Sequence, residues 1–186
     1  MPCSVTRMGY QRGTMSDNPQ IPLNRCSGDP QTPYPLEREA DHTLRSFLAA
    51  DSPRVALVIG PEHGGRASLL KNLERVVSET RPELRIRYVG AGDYVTGLVS
   101  AIRETRYEEF AQELLAFDFL LIDDIHLLAK KTETLKSLLP LLDPRGTTGK
   151  VVLSCCGHPS DIPDIPDCVV DALLSGVVVE MSHATR

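Results

Sequence analysis

Phe119-Leu-Leu-Ile-Asp-Asp124 is the stretch on which the fold turns. Four apolar residues in an unbroken run fit a strand buried on both faces, as in a parallel sheet covered by helices, and the run ends in two carboxylates. Upstream, Val55-Ala-Leu-Val-Ile59 has the same character and breaks at Gly60-Pro-Glu-His-Gly-Gly65. Ala67 to Val77 follows with Leu69, Leu70, Leu73 and Val77 at helical spacing. Ile86 to Val89, Val151 to Leu153 and Val177 to Val179 supply three further strands. Between them lie helical segments at Tyr94 to Ile102, Glu108 to Leu115 and Thr134 to Leu142, the last kinked or shortened by Pro140. Tyr94 and Phe110 are core residues by their spacing. Ahead of the first strand, Leu36, Ala40, Leu44, Phe47 and Leu48 mark an amphipathic helix ending near Asp51-Ser52-Pro53. Strands alternating with helices imply right-handed crossovers and a mostly parallel sheet with helices on both faces. No internal repeat is visible.

Residues 1 to 33 differ in kind. They are rich in Pro, Gly, Ser, Asn, Gln and Thr, so they cannot bury enough surface to offset chain entropy, and a disordered tail is expected there. The core is expected over 34–186. The chain has 186 residues and a formal net charge of −5, which leaves no overall basic bias toward nucleic acid or an anionic membrane. No stretch approaches the ~18 apolar residues of a membrane span, and the first residues lack the apolar run of a secretory signal. Cysteines at 3, 26, 155, 156 and 168 form no evenly spaced framework, so the expectation is free thiols in a reducing cytoplasm. Cys155, Cys156 and His158 suggest zinc at first sight, but neighbours on a strand point to opposite faces and do not reach one metal.

Two motifs carry the chemistry. A strand, a glycine-rich turn and a helix form the setting of G-x-x-x-x-G-K-[ST], in which backbone amides cradle phosphates, the lysine reaches the terminal phosphates and the hydroxyl holds Mg²⁺. Here the register gives Gly60, Gly65, then Arg66 and Ala67. Both glycines are in place, but the lysine is an arginine and the hydroxyl a methyl. Arginine keeps the charge but is longer and planar. Ser68 does not substitute for the missing hydroxyl, because one residue on is about 100° around the helix. Glu62 also puts a carboxylate into a loop suited to anions. The second motif is the apolar run before Asp123-Asp124, the Walker B pattern, where the first carboxylate serves Mg²⁺ and the second orients water. Candidate nucleotide-binding residues are therefore Gly60, His63, Gly64, Gly65, Arg66, Ala67, Ser68 and Asp123. Asp123 is the candidate Mg²⁺ residue and Asp124 the candidate catalytic one.

A larger pattern surrounds these motifs. Ile86-Arg-Tyr-Val-Gly-Ala-Gly-Asp-Tyr-Val95, Glu108-Glu-Phe110 and Phe117-Asp-Phe-Leu-Leu-Ile-Asp-Asp-Ile-His-Leu-Leu-Ala-Lys-Lys131 resemble, in order and spacing, the ATPase domain of the bacterial replication initiator DnaA family. Val151-Val-Leu-Ser-Cys155 resembles the strand leading to that family's sensor 1, and His158-Pro-Ser-Asp-Ile162 the segment after it. The resemblance runs from about residue 36 to 181. It implies a P-loop NTPase fold of the AAA+ class, a three-layer αβα arrangement around a five-stranded parallel sheet of order 5-1-4-3-2. Nucleotide is then expected at the C-terminal ends of strands 1 and 3. The acidic sensor 1 position falls at Cys156. The arginines placed before the fifth strand fall at or near Cys168 and Ala172, and from Val151 to Thr185 there is no Lys or Arg. The family's helical lid and its helix-turn-helix domain are expected to be missing, since the sequence stops just beyond the fifth strand.

An arginine finger alone can be worth ~10³–10⁵ in the rate of phosphoryl transfer, and several such parts are altered here, so hydrolysis is not the expected role. The expected role is a DnaA-like module linked to chromosomal replication initiation or its regulation. It is expected to act on a AAA+ replication initiator or a helicase-loading protein, with ATP or ADP and Mg²⁺ bound weakly or not at all. The alternative is a weak ATPase or ATP-dependent switch on the residual motifs. A second alternative is contact with DNA, without sequence specificity, through Lys130 and Lys131 at the end of the third strand; a solvated pair is the simpler account of two lysines on an acidic chain. His126 is given no catalytic role.

Overall fold

A computed structural model describes residues 53–143 and 149–181, together with His42, Leu44, Ser46 and Phe47. The expected tail over 1–33 and the ends of the first expected helix lie outside the described residues. His42, Leu44, Ser46 and Phe47 are helical, with Leu44 and Phe47 fully buried.

The strands are β1 (Val55–Ile59), β2 (Ile86–Gly90), β3 (Phe119–Asp123), β4 (Lys150–Cys155) and β5 (Val177–Glu180). They form one sheet in the order β2-β3-β4-β1-β5, with every pairing parallel. Read from the other edge this is 5-1-4-3-2, as the resemblance implied. Every residue of β1, β3 and β4 is buried, which is why these strands appear in the sequence as unbroken apolar runs. The edge strands β2 and β5 alternate instead.

The helices are α1 (Arg66–Thr80), α2 (Ala91–Arg103), α3 (Tyr107–Leu115), α4 (Thr132–Lys136), α5 (Leu139–Leu142) and α6 (Asp167–Leu174). α1 buries Leu69, Leu70, Leu73, Val76 and Val77 on one face, adding Val76 to the expected stripe. Tyr94 on α2 and Phe110 on α3 pack with ring centroids 5.8 Å apart, and the Tyr94 hydroxyl lies 2.9 Å from the Ser137 Oγ. The segment expected as one helix from Thr134 to Leu142 is two short helices, with Pro140 in the first turn of the second, where its missing N–H costs nothing. α6 and the 3₁₀ turns Ile125–Leu128 and Pro159–Asp161 extend the sequence reading. One of them corrects it. Lys130 and Lys131 do not end β3; they follow the 3₁₀ turn, with Lys130 at a φ of 69°, next to α4.

Candidate functional site

The sheet order sets the site. β4 lies between β1 and β3, so the residues after Ile59, the end of β3 and the end of β4 converge on one edge of the sheet. The Gly60 amide donates to the Cys155 carbonyl at 3.1 Å, while the Met181 amide reaches the Ile59 carbonyl at 2.6 Å. The chain then turns sharply, the Gly64 amide donating to the Pro61 carbonyl at 2.9 Å. A Cβ on Gly64 would stand 2.8 Å from the Pro61 ring, so the turn has no room for a side chain. Gly65, just before α1, has a φ of 86°, a left-handed conformation that glycine adopts without steric cost. The glycines therefore shape the loop as the sequence motif requires.

What fills the loop is Arg66. As the first residue of α1 its side chain folds inward and is only 6% exposed. Nη1 donates to the carbonyls of Gly60 and Pro61, and Nη2 donates to Asp124 Oδ1 at 2.7 Å. Nε is buried and has no partner among the described residues. The glycine loop thus holds a guanidinium bound to its own carbonyls and to the second Walker B carboxylate.

Asp123, at the end of β3, is 3% exposed and has both oxygens engaged. Oδ2 accepts from the Tyr88 hydroxyl at 2.6 Å, and Oδ1 accepts from Ser154 Oγ. Ser154 lies on β4, fully buried, and its Oγ also accepts from the Asp124 amide at 2.9 Å. Tyr88 is held from α1: the Lys71 ammonium sits 5.4 Å from the centre of its ring, and Glu74 accepts from its amide at 3.1 Å. Burial and then the bond to Asp123 push the Tyr88 hydroxyl's pKa well up, so it stays a donor to the carboxylate at any physiological pH.

Asp124 sits at a φ of 58°, a left-handed conformation that Asp tolerates better than most residues. His126 Nδ1 accepts from the Cys156 amide at 3.3 Å, which puts the ring proton on Nε2. Burial lowers the pKa of His126 and the Asp124 charge opposes this, so the 3.9 Å approach of Nδ1 to Asp124 is not a charged pair at neutral pH. Cys155 is buried at the end of β4 and Cys156 is half-buried just beyond it. No group of three or more His, Cys, Asp or Glu suited to a metal ion occurs among the described residues.

The structure brings Gly60, Gly64, Gly65, Arg66, Asp123 and Asp124 together, with His63 on the loop at a φ of 61°. Ala67 and Ser68 lie on the first turn of α1, with Ser68 exposed. The donor set does not fit Mg²⁺, which requires an octahedron of oxygens at about 2.0–2.1 Å. Both Asp123 oxygens are satisfied by hydroxyls, Ala67 offers no oxygen, and a guanidinium already stands against Asp124. Tyr88 and Ser154 were not singled out in the sequence. Ser154 carried a usable signal, as a lone hydroxyl inside an apolar strand that pairs beside β3.

The sheet order and these two motifs, a strand–glycine loop–helix and a buried strand ending in paired carboxylates, define the P-loop fold of the AAA+ class. The family model for the bacterial DnaA ATPase domain matches residues 46–180. The chain belongs to that family. DnaA of Limosilactobacillus fermentum is 28% identical over 142 residues, 74% of this chain and 32% of that protein, so the chain spans about a third of the length of such curated relatives. Domain III of DnaA from Thermotoga maritima superposes with a TM-score of 0.73 at 21% identity, covering 82% of this chain and 68% of that one. AMPPCP-bound DnaA from Aquifex aeolicus gives a TM-score of 0.72 at 19% identity, over 82% and 50% of the two chains. At these identities the two structures speak for the fold.

Proposed function

We propose that this chain is a DnaA-like module, residues 34–186, that serves chromosomal replication initiation or its regulation by binding a AAA+ partner, with nucleotide binding weak or lost. The observation that carries this reading is the self-contained site: Arg66 is bonded to the loop carbonyls and Asp124, and Asp123 is sealed by Tyr88 and Ser154. The buried carboxylate has two hydroxyl donors and the buried guanidinium has acceptors on Nη1 and Nη2, leaving Nε without a partner among the described residues, so a phosphate or a metal must displace existing bonds to enter fully. The sequence supports the same reading, since no Lys or Arg lies between Val151 and Thr185 to reach a neighbour's nucleotide.

The partner is a full-length replication initiator or a helicase-loading protein, and the setting is the cytoplasm. Among the described residues no helix is long and apolar enough to cross a membrane. The test is size-exclusion chromatography of the purified chain with the DnaA protein of the same cell, with and without ATP. Co-elution that does not depend on added nucleotide is expected. Separate elution under both conditions counts against the reading.

One feature favours a second reading, a weak ATPase or ATP-dependent switch: the loop keeps the shape that Gly64 and Gly65 give it at the N-terminus of a fifteen-residue helix. On this reading Gly60, His63, Gly64, Gly65, Ala67 and Ser68 line the nucleotide with backbone, Arg66 meets the phosphates, and Asp124 orients water. Phosphate release above background that disappears in Asp123→Ala would favour it.

A further inference from the structure

The bonding of Arg66 bears on what the loop can take. One edge of its guanidinium carries Nε and Nη2, two parallel N–H donors in the geometry that matches an oxyanion. Nη2 is used by Asp124 Oδ1 at 2.7 Å, and Nε, buried in the same place, is unused. This half-used fork stands at the N-terminus of α1, where backbone amides and the helix dipole already favour negative charge. Asp124 is the less buried member of the pair, its side chain 38% exposed against 6% for Arg66, so the carboxylate can leave for solvent while the guanidinium stays. Asp123, by contrast, is buried with each oxygen held by a hydroxyl, which closes the position a divalent ion would need.

We propose that Asp124 acts as a built-in anion competing with phosphate for Arg66, and that the loop takes a nucleotide's di- or triphosphate without a divalent cation, the guanidinium supplying the charge. This rests on the reading of the site as weak for nucleotide and explains why it is weak. Phosphate enters by displacing Asp124 from Nη2 and using both donors of the fork. The carboxylate therefore opposes binding twice, as a competitor and as a like charge, whereas in a metal-dependent site it would assist the ligand's chemistry.

Asp124→Asn is the decisive variant, because Asn tolerates the left-handed φ of 58° and keeps the shape while losing the charge. Binding of ADP, ATP and inorganic pyrophosphate to the full chain is measured by calorimetry in EDTA and again in Mg²⁺. We expect weak binding in the wild type, unchanged by Mg²⁺, and about tenfold or more tightening in Asp124→Asn, a gain of roughly 1.4 kcal/mol or more. Arg66→Ala should remove binding from both backgrounds, and thermal unfolding of each variant confirms that it is folded. Equal affinity for pyrophosphate and ADP identifies the phosphates as the whole ligand; tighter ADP shows that the nucleoside adds contacts. Either result supports the proposal. Binding that requires Mg²⁺, no tightening in a folded Asp124→Asn, or no binding by either protein at millimolar ligand overturns it. Co-elution with the partner in the absence of nucleotide is scored separately, so that failure here leaves the binding-module reading standing and failure there leaves this one.

Discussion

Ser154→Ala tests whether the sealed carboxylate is an architectural feature of the fold. Ser154 Oγ is fully buried, donates to Asp123 Oδ1 and accepts from the Asp124 amide at 2.9 Å. Alanine removes both bonds and leaves a carboxylate oxygen and a backbone N–H short of partners in an interior with little room for water. A hydrogen bond to a charged group is worth about 1.5–3 kcal/mol and an unsatisfied buried N–H costs about 1–3 kcal/mol, so the variant should lose roughly 2–4 kcal/mol. For a chain of this length that is a fall in Tm of roughly 5–15 °C. Urea unfolding followed by circular dichroism measures it, with an unchanged m-value expected because the exposed surface on unfolding is the same. Tyr88→Phe removes the other donor to Asp123 at a cost of about 1.5–3 kcal/mol. The double variant should depart from additivity by about 0.5 kcal/mol or more, since both hydroxyls act on one carboxylate. A loss below about 0.5 kcal/mol for Ser154→Ala, typical of a surface change, would refute the reasoning.

Other expectations follow from single contacts. Gly176→Ala would place a Cβ 1.9 Å from the Val55 carbonyl oxygen, so β5 must shift off β1; a loss of about 3 kcal/mol or more is expected by urea unfolding. Lys150→Met removes the buried ammonium that donates to the Phe47 carbonyl at 2.7 Å, at an expected cost of about 1–3 kcal/mol, with proteolysis upstream of β1 the most sensitive readout. Burial pushes the Cys155 thiol from its usual 9.0 to about 11. The folded chain therefore holds that proton longer than the unfolded one, and stability present below pH 9 is lost as pH rises toward 11, by about 2–3 kcal/mol in all. Cys155→Ala should flatten that alkaline slope, which a pH series of urea midpoints reads directly. With Cys3 and Cys26 replaced by serine, a thiol reagent at neutral pH should modify the exposed Cys168 quickly and reach Cys155 only on unfolding.

The sequence by itself determined the central sheet. Val55–Ile59, Phe119–Ile122 and Val151–Leu153 are buried on both faces, and only unbroken apolar runs satisfy that environment, so they are legible without any partner. It also determined the glycine loop, because Gly64 and Gly65 answer steric demands that are local to the turn. α6 was less legible: eight residues launched from Pro166 give too short a stripe for periodicity to register. The lysine pair at 130 and 131 was misplaced because a 3₁₀ turn has no distinctive apolar spacing. The motif singled out candidate residues, but how their side chains pair was not readable from it. Nothing in the order of residues says that Arg66 turns inward onto Asp124, 58 positions away, or that Tyr88 and Ser154 close on Asp123 from 35 and 31 positions away. Those meetings exist because β4 lies between β1 and β3 and because β2 runs beside β3, and strand order is a property of the packed sheet. The tertiary structure therefore decided the point on which the proposed function depends, that Arg66 pairs with Asp124 while two hydroxyls occupy Asp123.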